Sequence, residues 1–273
     1  MKQALAALFM LALIAARGYG DGDAPSAPTL RVLTYNIHHG EGTDGVFDLP
    51  RIAGVVKAAR PDLVALQEVD ERTTRVQGVD QLDELGRLTA LHTTFGKAMA
   101  FSGGDYGVAV LSRWPILSAD NEPLPSSADR EPRTALTVRV RAGERGPVVQ
   151  FTCTHLDQGR DEQDRLEQAA FLNATEAHDG IPAILAGDMN SRPDTVVMKT
   201  LETEWTDAAA AADPALLNAL SLTVPAARIR YRPDYVLYRP ASSWRVIESS
   251  VIDETVASDH RPVLAVLEWA GPR

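Results

Sequence analysis

The spacing of the apolar residues is the strongest constraint on the fold of this chain. Eight short runs have the composition of buried strands: Leu30 to Ile37, Leu63 to Leu66, Gly107 to Leu111, Ala135 to Val140, Val148 to Thr154, Ala183 to Ala186, Tyr235 to Leu237 and Val263 to Leu267. Three segments have helical spacing instead: Leu49 to Ala59, Gln81 to Ala90 and Glu162 to Ala177. Several neighbouring runs have no helix between them, whereas a purely parallel sheet needs a crossover at each connection. The pattern therefore predicts a mixed-sheet, layered α/β domain.

The chain is long enough to bury one large core. It has 273 residues, of which 45% are hydrophobic and 23% charged, as in ordinary globular proteins. No linker interrupts residues 29–270, and we expect a single domain there.

The amino terminus has the pattern of a secretory signal peptide. Lys2 precedes the apolar run Ala4 to Ala16, and Gly18 and Gly20 offer small residues to a signal peptidase. We expect residues 1–20 to be the signal peptide and residues 21–28 a flexible linker. The expected location is periplasmic or extracellular. An uncleaved segment that anchors the protein to a membrane is the alternative.

The charge of the mature chain bears on its partners. Removal of Lys2 and Arg17 leaves 25 basic and 37 acidic residues, a formal charge of −12. Sequence-independent binding to duplex nucleic acid draws on many Lys and Arg contacts, so the acidic total disfavours it without excluding a local basic groove. Cys153 is the single cysteine, so no internal disulfide can form.

Polar side chains recur at the ends of the apolar runs. They are Asn36, Glu68, His155, Asp188, Asn190, Asp234, Asp259 and His260. Strand ends that meet at one sheet edge are where α/β proteins place their sites. Carboxylate and amide oxygens are hard ligands that suit Mg²⁺ or Mn²⁺. Histidines add proton transfer and, when charged, stabilisation of a phosphoryl group.

Six motifs follow one another along the chain: Thr-Tyr-Asn-Ile, Leu-Gln-Glu-Val, Gly-Val-Ala-Val-Leu-Ser-Arg, Thr-His-Leu, Gly-Asp-Met-Asn and Ser-Asp-His-Arg-Pro. In this order, from about Leu30 to Leu267, they resemble the endonuclease/exonuclease/phosphatase superfamily, which includes DNase-I-like nucleases and neutral sphingomyelinases. The resemblance implies a four-layer α/β/β/α sandwich of two mixed β-sheets flanked by helices. It also implies a divalent-metal-dependent phosphoesterase in which water attacks a phosphodiester or phosphomonoester, and the signal peptide predicts that this enzyme is exported.

The resemblance implies a metal-binding group among these residues. Glu68 corresponds to the principal ligand of Mg²⁺ or Mn²⁺, with Asn36 beside it and Asp259 close to the cation.

The same resemblance implies the groups that act on water and phosphate. Asp188 would activate or orient the attacking water, and Asn190 would hold the phosphate. His260 would contact the phosphate or serve as acid or base with Asp234 as its partner, and His155 would contact the phosphate from the opposite side. Pro233 departs from the family, which has an apolar residue there, so the Asp234–His260 pairing depends on the fold.

Further residues are candidates for substrate binding. His38 alternates with Asn36 and would share its face of a strand, and Arg133 is a candidate phosphate contact. Arg228, Arg230 and Arg232 are spaced by two, which on an extended segment would form one positive strip beside the site. A solvated, arginine-rich loop is the alternative.

The sequence leaves the substrate open among a phosphorylated small molecule, a lipid head group and nucleic acid. A membrane-associated enzyme similar to phospholipases or sphingomyelinases is one alternative, and a non-catalytic binding module on the same fold is another. We expect a monomer without a stable protein partner.

Overall fold

The computed structural model describes residues 28–144, 146–174, 180–212 and 221–271. The predicted signal peptide, most of the predicted linker and the predicted end of the third helix at Ala177 lie outside these residues. Within the described part, no helix has the length and apolar character needed to cross a bilayer.

Two six-stranded mixed sheets form the centre of the described fold. The first contains β1 (Thr29–Asn36), β2 (Leu63–Glu71), β3 (His92–Phe101), β4 (Gly104–Ser112), β11 (Trp244–Val251) and β12 (Val263–Trp269). Its strand order is β11-β12-β1-β2-β4-β3. The second contains β5 (Ile116–Pro123), β6 (Thr134–Arg141), β7 (Val148–His155), β8 (Ala183–Asp188), β9 (Thr206–Asp207) and β10 (Asp234–Arg239). Its order is β5-β6-β7-β8-β10-β9.

Five α-helices lie in the described residues, of which the first four cover the outer faces of the two sheets and the fifth packs beside β10 and β11. They are α1 (Leu49–Ala59), α2 (Gln81–Thr89), α3 (Gln163–Ala174), α4 (Val196–Leu201) and α5 (Ala208–Ala212). Asp48 caps α1 by accepting a hydrogen bond from the Arg51 amide at 2.9 Å, and Asp80 caps α2 in the same way. α1 and α2 pack on the first sheet, and α3 and α4 pack on the second. The predicted α/β/β/α sandwich is confirmed.

The space between the sheets is filled by apolar side chains from both. Val32 and Ala65 of the first sheet meet Phe151, Ile184 and Val236 of the second in one buried cluster. Because side chains alternate along a strand, the residues two positions before and after each of these also face inward. Toward the carboxyl ends of β1, β7 and β8, the inward positions change from apolar to polar.

Four of the twelve described strands were not predicted: β3, β5, β9 and β11. Each of them forms an edge of its sheet. Their side chains are mostly half-buried or exposed, as along β5, so they lack a continuous apolar run or strict alternation.

Candidate active site

Three polar side chains lie next to one another across the second sheet. His155 pairs with Asp188 in the parallel register of β7 and β8, and Asp188 pairs with Asp234 in the antiparallel register of β8 and β10. Each continues an inward-facing row: Phe151 and Cys153 precede His155 on β7, as Ile184 and Ala186 precede Asp188 on β8. The site is therefore the polar end of the inter-sheet core.

Asn36 joins the two sheets at this end. It is the last residue of β1, and its Nδ2 donates to Glu68 Oε1 at 2.9 Å and to Asp188 Oδ2 at 3.2 Å. Its Oδ1 accepts a hydrogen bond from the His38 amide at 3.0 Å. A single amide thus fixes the distance between a carboxylate of the first sheet and one of the second.

Glu68 reaches the site because β2 contains a bulge. Gln67 pairs with Asn36 on β1 and occupies the inward position, so regular alternation would turn Glu68 away. The register of β2 against β4 instead shifts between Gln67 and Val69, and Glu68 takes a left-handed φ of 57°. A bulge of this kind re-aims a side chain next to a site.

A buried polar layer separates this site from the apolar core. Thr34 donates to Gln67 Oε1 at 3.3 Å, and Gln67 Nε2 contacts Cys153 Sγ at 3.4 Å. All three side chains are inaccessible to solvent, and burial raises the pKa of the Cys153 thiol to about 12. Cys153 is therefore a neutral thiol within the core.

The loop before β12 supplies Asp259 and His260. Ser258 fastens this loop to β1 by donating from its hydroxyl to the Asn36 carbonyl at 2.7 Å. His260 Nδ1 lies 3.0 Å from Asp234 Oδ2, so Pro233 does not prevent this pairing. Thr223 donates to the same carboxylate oxygen at 2.5 Å, while His260 Nε2 lies 3.7 Å from Asp188 Oδ2.

The buried ionisable groups of this cluster shift one another's pKa values. Burial raises the pKa of Asp188, the Asp234 carboxylate raises it further, and the pKa reaches about 7. Burial disfavours the charged form of His260, but the carboxylates of Asp234, Asp188 and Asp259 outweigh it and raise its pKa to about 10. At neutral pH His260 is therefore an imidazolium, and Asp188 can exchange a proton.

His155 is held in the opposite, neutral state. Burial and the charges of Arg133 and His260 place its pKa well below the usual value. Arg133 Nη1 lies 3.1 Å from His155 Nδ1. Because a guanidinium only donates, Nδ1 must accept, and the ring proton is on Nε2, which lies 3.5 Å from Asp188 Oδ2.

A polar cleft of about 320 Å³ opens beside this cluster. Its walls include His38, Glu68, Arg133, His155 and Asp259. Nine of its eleven lining residues are polar or charged, so the cleft suits a polar ligand. Arg133 is 3% exposed, and its Nε and Nη2 have no hydrogen-bond partner among the described residues. Buried donors of this kind are expected to meet a ligand or water.

His38 and Asn190 take conformations that strand alternation does not predict. His38 lies in a 3₁₀ turn, His38–Gly40, with φ of 45°, rather than on a strand, yet it still lines the cleft. Asn190 has φ of 47°. Its amide donates to Asp188 Oδ1 at 2.8 Å and its side chain to the Leu156 carbonyl at 2.9 Å. Asn190 thus fixes the orientation of the Asp188 carboxylate.

The expected arginine strip does not form. Arg228 ends a 3₁₀ turn, Ala226–Arg228, so the segment is not extended throughout. Arg228 and Arg230 are exposed, whereas Arg232 is 2% exposed and binds both carboxylate oxygens of Asp207 at 2.7 and 2.8 Å. Arg232 faces a separate cavity of about 260 Å³, away from the cleft. Its ion pair with Asp207 removes it from the substrate-binding candidates.

The residues of the site neighbourhood that were missed include Arg75, Thr223 and Ser258. All three lie in connecting segments without apolar periodicity. Ser258 belongs to the Ser-Asp-His motif and could have been found from it, whereas Arg75 and Thr223 carry no local signal.

The fold is a two-sheet α/β sandwich, and the candidate site is a cluster of carboxylates and histidines at one end of its core. Comparison with known proteins identifies the family to which this class of fold and site belongs. A sequence model of the endonuclease/exonuclease/phosphatase family matches residues 33–260. The chain belongs to this family, whose members are hydrolases that act on phosphoester bonds.

Relatives and solved structures agree with this assignment. The uncharacterized protein YbhP of Escherichia coli is 31% identical over 172 residues, which cover 59% of this chain and 67% of YbhP. An endonuclease/exonuclease/phosphatase from Beutenbergia cavernae has a TM-score of 0.74 at 28% identity, covering 90% of this chain and 72% of that one. A mannosyl-6-phosphatase from Bacteroides thetaiotaomicron has a TM-score of 0.72 at 18% identity, covering 88% and 100%. The last similarity concerns the fold.

Proposed function

We propose that the protein is a Mg²⁺- or Mn²⁺-dependent phosphoesterase that hydrolyses a polar, water-soluble substrate in the cleft beside Glu68. The observation that carries the proposal is the junction at Asn36, where one amide holds carboxylates from both sheets. Arg133, which lines the same cleft, has two buried donors without partners among the described residues. A site for an anion thus adjoins a site for a cation, the arrangement that metal-assisted phosphoester hydrolysis uses.

The donor atoms present fit a hard divalent cation. Glu68 and Asp259 both line the cleft and offer carboxylate oxygens, the ligands that Mg²⁺ and Mn²⁺ prefer. A second group, Asp188, Asp234 and His260, has ligand atoms within 4.8 Å of one another. A protonated His260 has no lone pair for a metal, and Asp234 is engaged by His260 and Thr223. Glu68 and Asp259, with Asn36 beside them, are therefore the proposed ligands.

The remaining residues divide the chemistry among them. Asp188 accepts the proton of the attacking water, because its pKa of about 7 leaves a substantial ionised fraction near neutral pH. His260, charged and oriented by Asp234, stabilises the phosphate as negative charge accumulates. His155 donates a hydrogen bond to the phosphate from Nε2, and Arg133 donates to it from Nε and Nη2. When bound, the cation neutralises charge on the phosphate and on the leaving oxygen.

The cleft favours a soluble substrate over a lipid. Met99 and Phe101 are the apolar residues among its lining, and both are half-buried. A sphingomyelinase-like enzyme would need an apolar surface beside the site for the acyl chains. A small phosphorylated molecule needs polar donors, which dominate this cleft.

A substrate panel tests the proposal directly. The protein from residue 21 onward is incubated with plasmid DNA, RNA, bis-p-nitrophenyl phosphate, sphingomyelin and sugar phosphates, in Mg²⁺, Mn²⁺ or EDTA. We expect metal-dependent release of product from a soluble phosphoester, lost in a Glu68→Ala/His260→Ala variant. Folded protein that leaves every substrate intact under every metal contradicts the proposal and favours the binding-module alternative.

A further inference from the structure

Arg75 lines the cleft but has no role in the proposed chemistry. It follows β2 in the 3₁₀ turn Thr74–Val76, and it shares the cleft wall with Glu68 and Arg133. Arg133 already supplies donors beside His155. Arg133 Nη1 also pairs with the Glu131 carboxylate at 2.9 Å, so Arg75 is a second, separate guanidinium in the cleft wall.

The Arg75 guanidinium is held rigidly. Its Nε donates to Asp70 Oδ2 at 2.6 Å and its Nη2 to Asp70 Oδ1 at 2.8 Å. Asp70 is inaccessible to solvent and also accepts from Thr73 at 2.5 Å. The group lies 4.7 Å from the Phe101 ring centroid and 5.4 Å from that of Tyr106. Because two rings and a carboxylate fix the side chain, a ligand that binds it loses little additional conformational entropy.

One edge of this guanidinium is left for a ligand. Asp70 accepts hydrogen bonds from Nε and Nη2, whereas Nη1 has no acceptor among the described residues. The Arg75 side chain is 31% exposed, and that exposure opens on the cleft. Arginine binds planar carboxylates and phosphates through paired N–H groups, so the Nη1–Nη2 edge can accept a second anion.

We propose that Arg75 binds a second anionic group of the substrate, so that the substrate is a small phosphoester that carries two separate anionic groups. This inference rests on the proposed function for the first anion, which is the phosphate that is hydrolysed. The cleft volume of about 320 Å³ lies within the range of small-molecule sites. A second phosphate and a carboxylate share the required chemistry, and different ligands distinguish them.

Equilibrium binding in EDTA tests the subsite without turnover. Calorimetry compares a hexose monophosphate, the matching hexose bisphosphate and a phosphorylated sugar acid on the mature chain. We expect the better of the two ligands with two anionic groups to bind about tenfold more tightly than the monophosphate, which corresponds to about 1.4 kcal/mol. Preference for the bisphosphate identifies a phosphate subsite, and preference for the sugar acid identifies a carboxylate subsite. Equal affinity for all three ligands overturns the proposal.

Variants locate the second anion on Arg75. Arg75→Gln is expected to abolish the preference, and Arg75→Lys, which lacks the second edge of the fork, to lose most of it. Asp70→Asn/Arg75→Gln gives the same readout without a buried unpaired carboxylate. Arg72→Gln is the matched control, since Arg72 is in the same loop, is 68% exposed and pairs with Asp80. A preference that survives in folded Arg75 variants, or disappears instead in Arg230→Gln, overturns the assignment.

The two proposals fail separately. Metal-dependent hydrolysis without any preference among the three ligands retains the phosphoesterase and overturns the subsite. A preference that depends on Arg75, together with no hydrolysis, retains the subsite and overturns the phosphoesterase.

Discussion

His260 Nδ1 lies 3.0 Å from Asp234 Oδ2, and both residues are buried. Thr223 donates to the same carboxylate oxygen and holds the carboxylate in place, so the imidazole is fixed in orientation. The same carboxylate raises the pKa of His260 against the effect of burial. Asp234 therefore controls both the position and the charge of the ring.

Replacement of Asp234 by asparagine tests this control. Asp234→Asn keeps the side-chain size but removes the charge, so the pKa of His260 falls and the ring loses its ion pair. We expect kcat to fall by about 10²-fold or more, the range of general acid–base and orienting effects. We also expect the alkaline limb of the pH profile to move to lower pH. Asp253→Asn is the control, since Asp253 is 83% exposed. An unchanged alkaline limb would contradict the assignment.

The wild-type pH profile tests Asp188. Its pKa is raised to about 7, and its ionised form accepts the proton, so kcat/KM should increase as the pH passes about 7. His260 must remain protonated, so activity should decline as the pH approaches about 10. Rates are measured at saturating metal, with circular dichroism at each pH. Full activity well below neutral pH in folded protein would contradict a pKa of about 7 for Asp188 in the active, metal-bound enzyme.

Metal affinity distinguishes the two candidate cation sites. Glu68→Gln removes a charged oxygen ligand and should weaken Mn²⁺ binding by about a hundredfold, since affinity depends on ligand charge. Glu71→Gln on the same strand is the control. Asp234→Asn should retain Mn²⁺ binding because its carboxylate is engaged by His260. Calorimetric titration measures the Mn²⁺ affinity of all three variants. Loss of Mn²⁺ binding in Asp234→Asn alone would place the cation in the Asp188–Asp234–His260 cluster.

The two neighbouring arginines Arg230 and Arg232 should behave differently in unfolding. Arg232→Ala leaves Asp207 as a buried charge without its partner, and this typically costs about 3–5 kcal/mol of unfolding free energy. Arg230→Ala alters an exposed side chain and should stay within about 0.5 kcal/mol of wild type. Urea denaturation measures both. Equal stability of the two variants would contradict the buried ion pair.

Cys153 should be chemically silent in the folded protein. Its thiol is inaccessible and has a pKa of about 12, so little thiolate exists at mildly alkaline pH. Ellman's reagent should label the cysteine only after denaturation, and the denatured sample serves as the positive control. Stoichiometric labelling within minutes in the native state would show that the layer below the site opens readily.

The central part of each sheet could be predicted from the sequence because burial on both faces produces long apolar runs. Val64 to Leu66 and Ile184 to Ala186 face packed layers on either side. Edge strands have weaker burial, so their side chains need not be apolar. β5 illustrates this: apart from the half-buried Ile116, all of its residues are exposed.

Motif order predicted the residues that the structure brings together in the candidate site, whereas their local geometry could not be predicted. Strand alternation accounts for the inward positions of Asn36, His155 and Asp188. It cannot account for Glu68, because the bulge depends on pairing with β4. The prediction of a positive strip from alternation also failed for Arg232. The spacing of the arginines does not reveal that Asp207 is buried and pairs with Arg232.

The pairing of β1 with β12 has a consequence for biosynthesis. The first described strand is hydrogen-bonded to the last, and Asp259 and His260 directly precede that last strand. During translation, a chain that has not reached Val263 has an open edge on β1, and a chain that has not reached Asp259 also lacks two of the proposed site residues. We therefore expect the proposed activity to be absent until almost all of the domain has been synthesised, and fragments from premature termination to lack it as well.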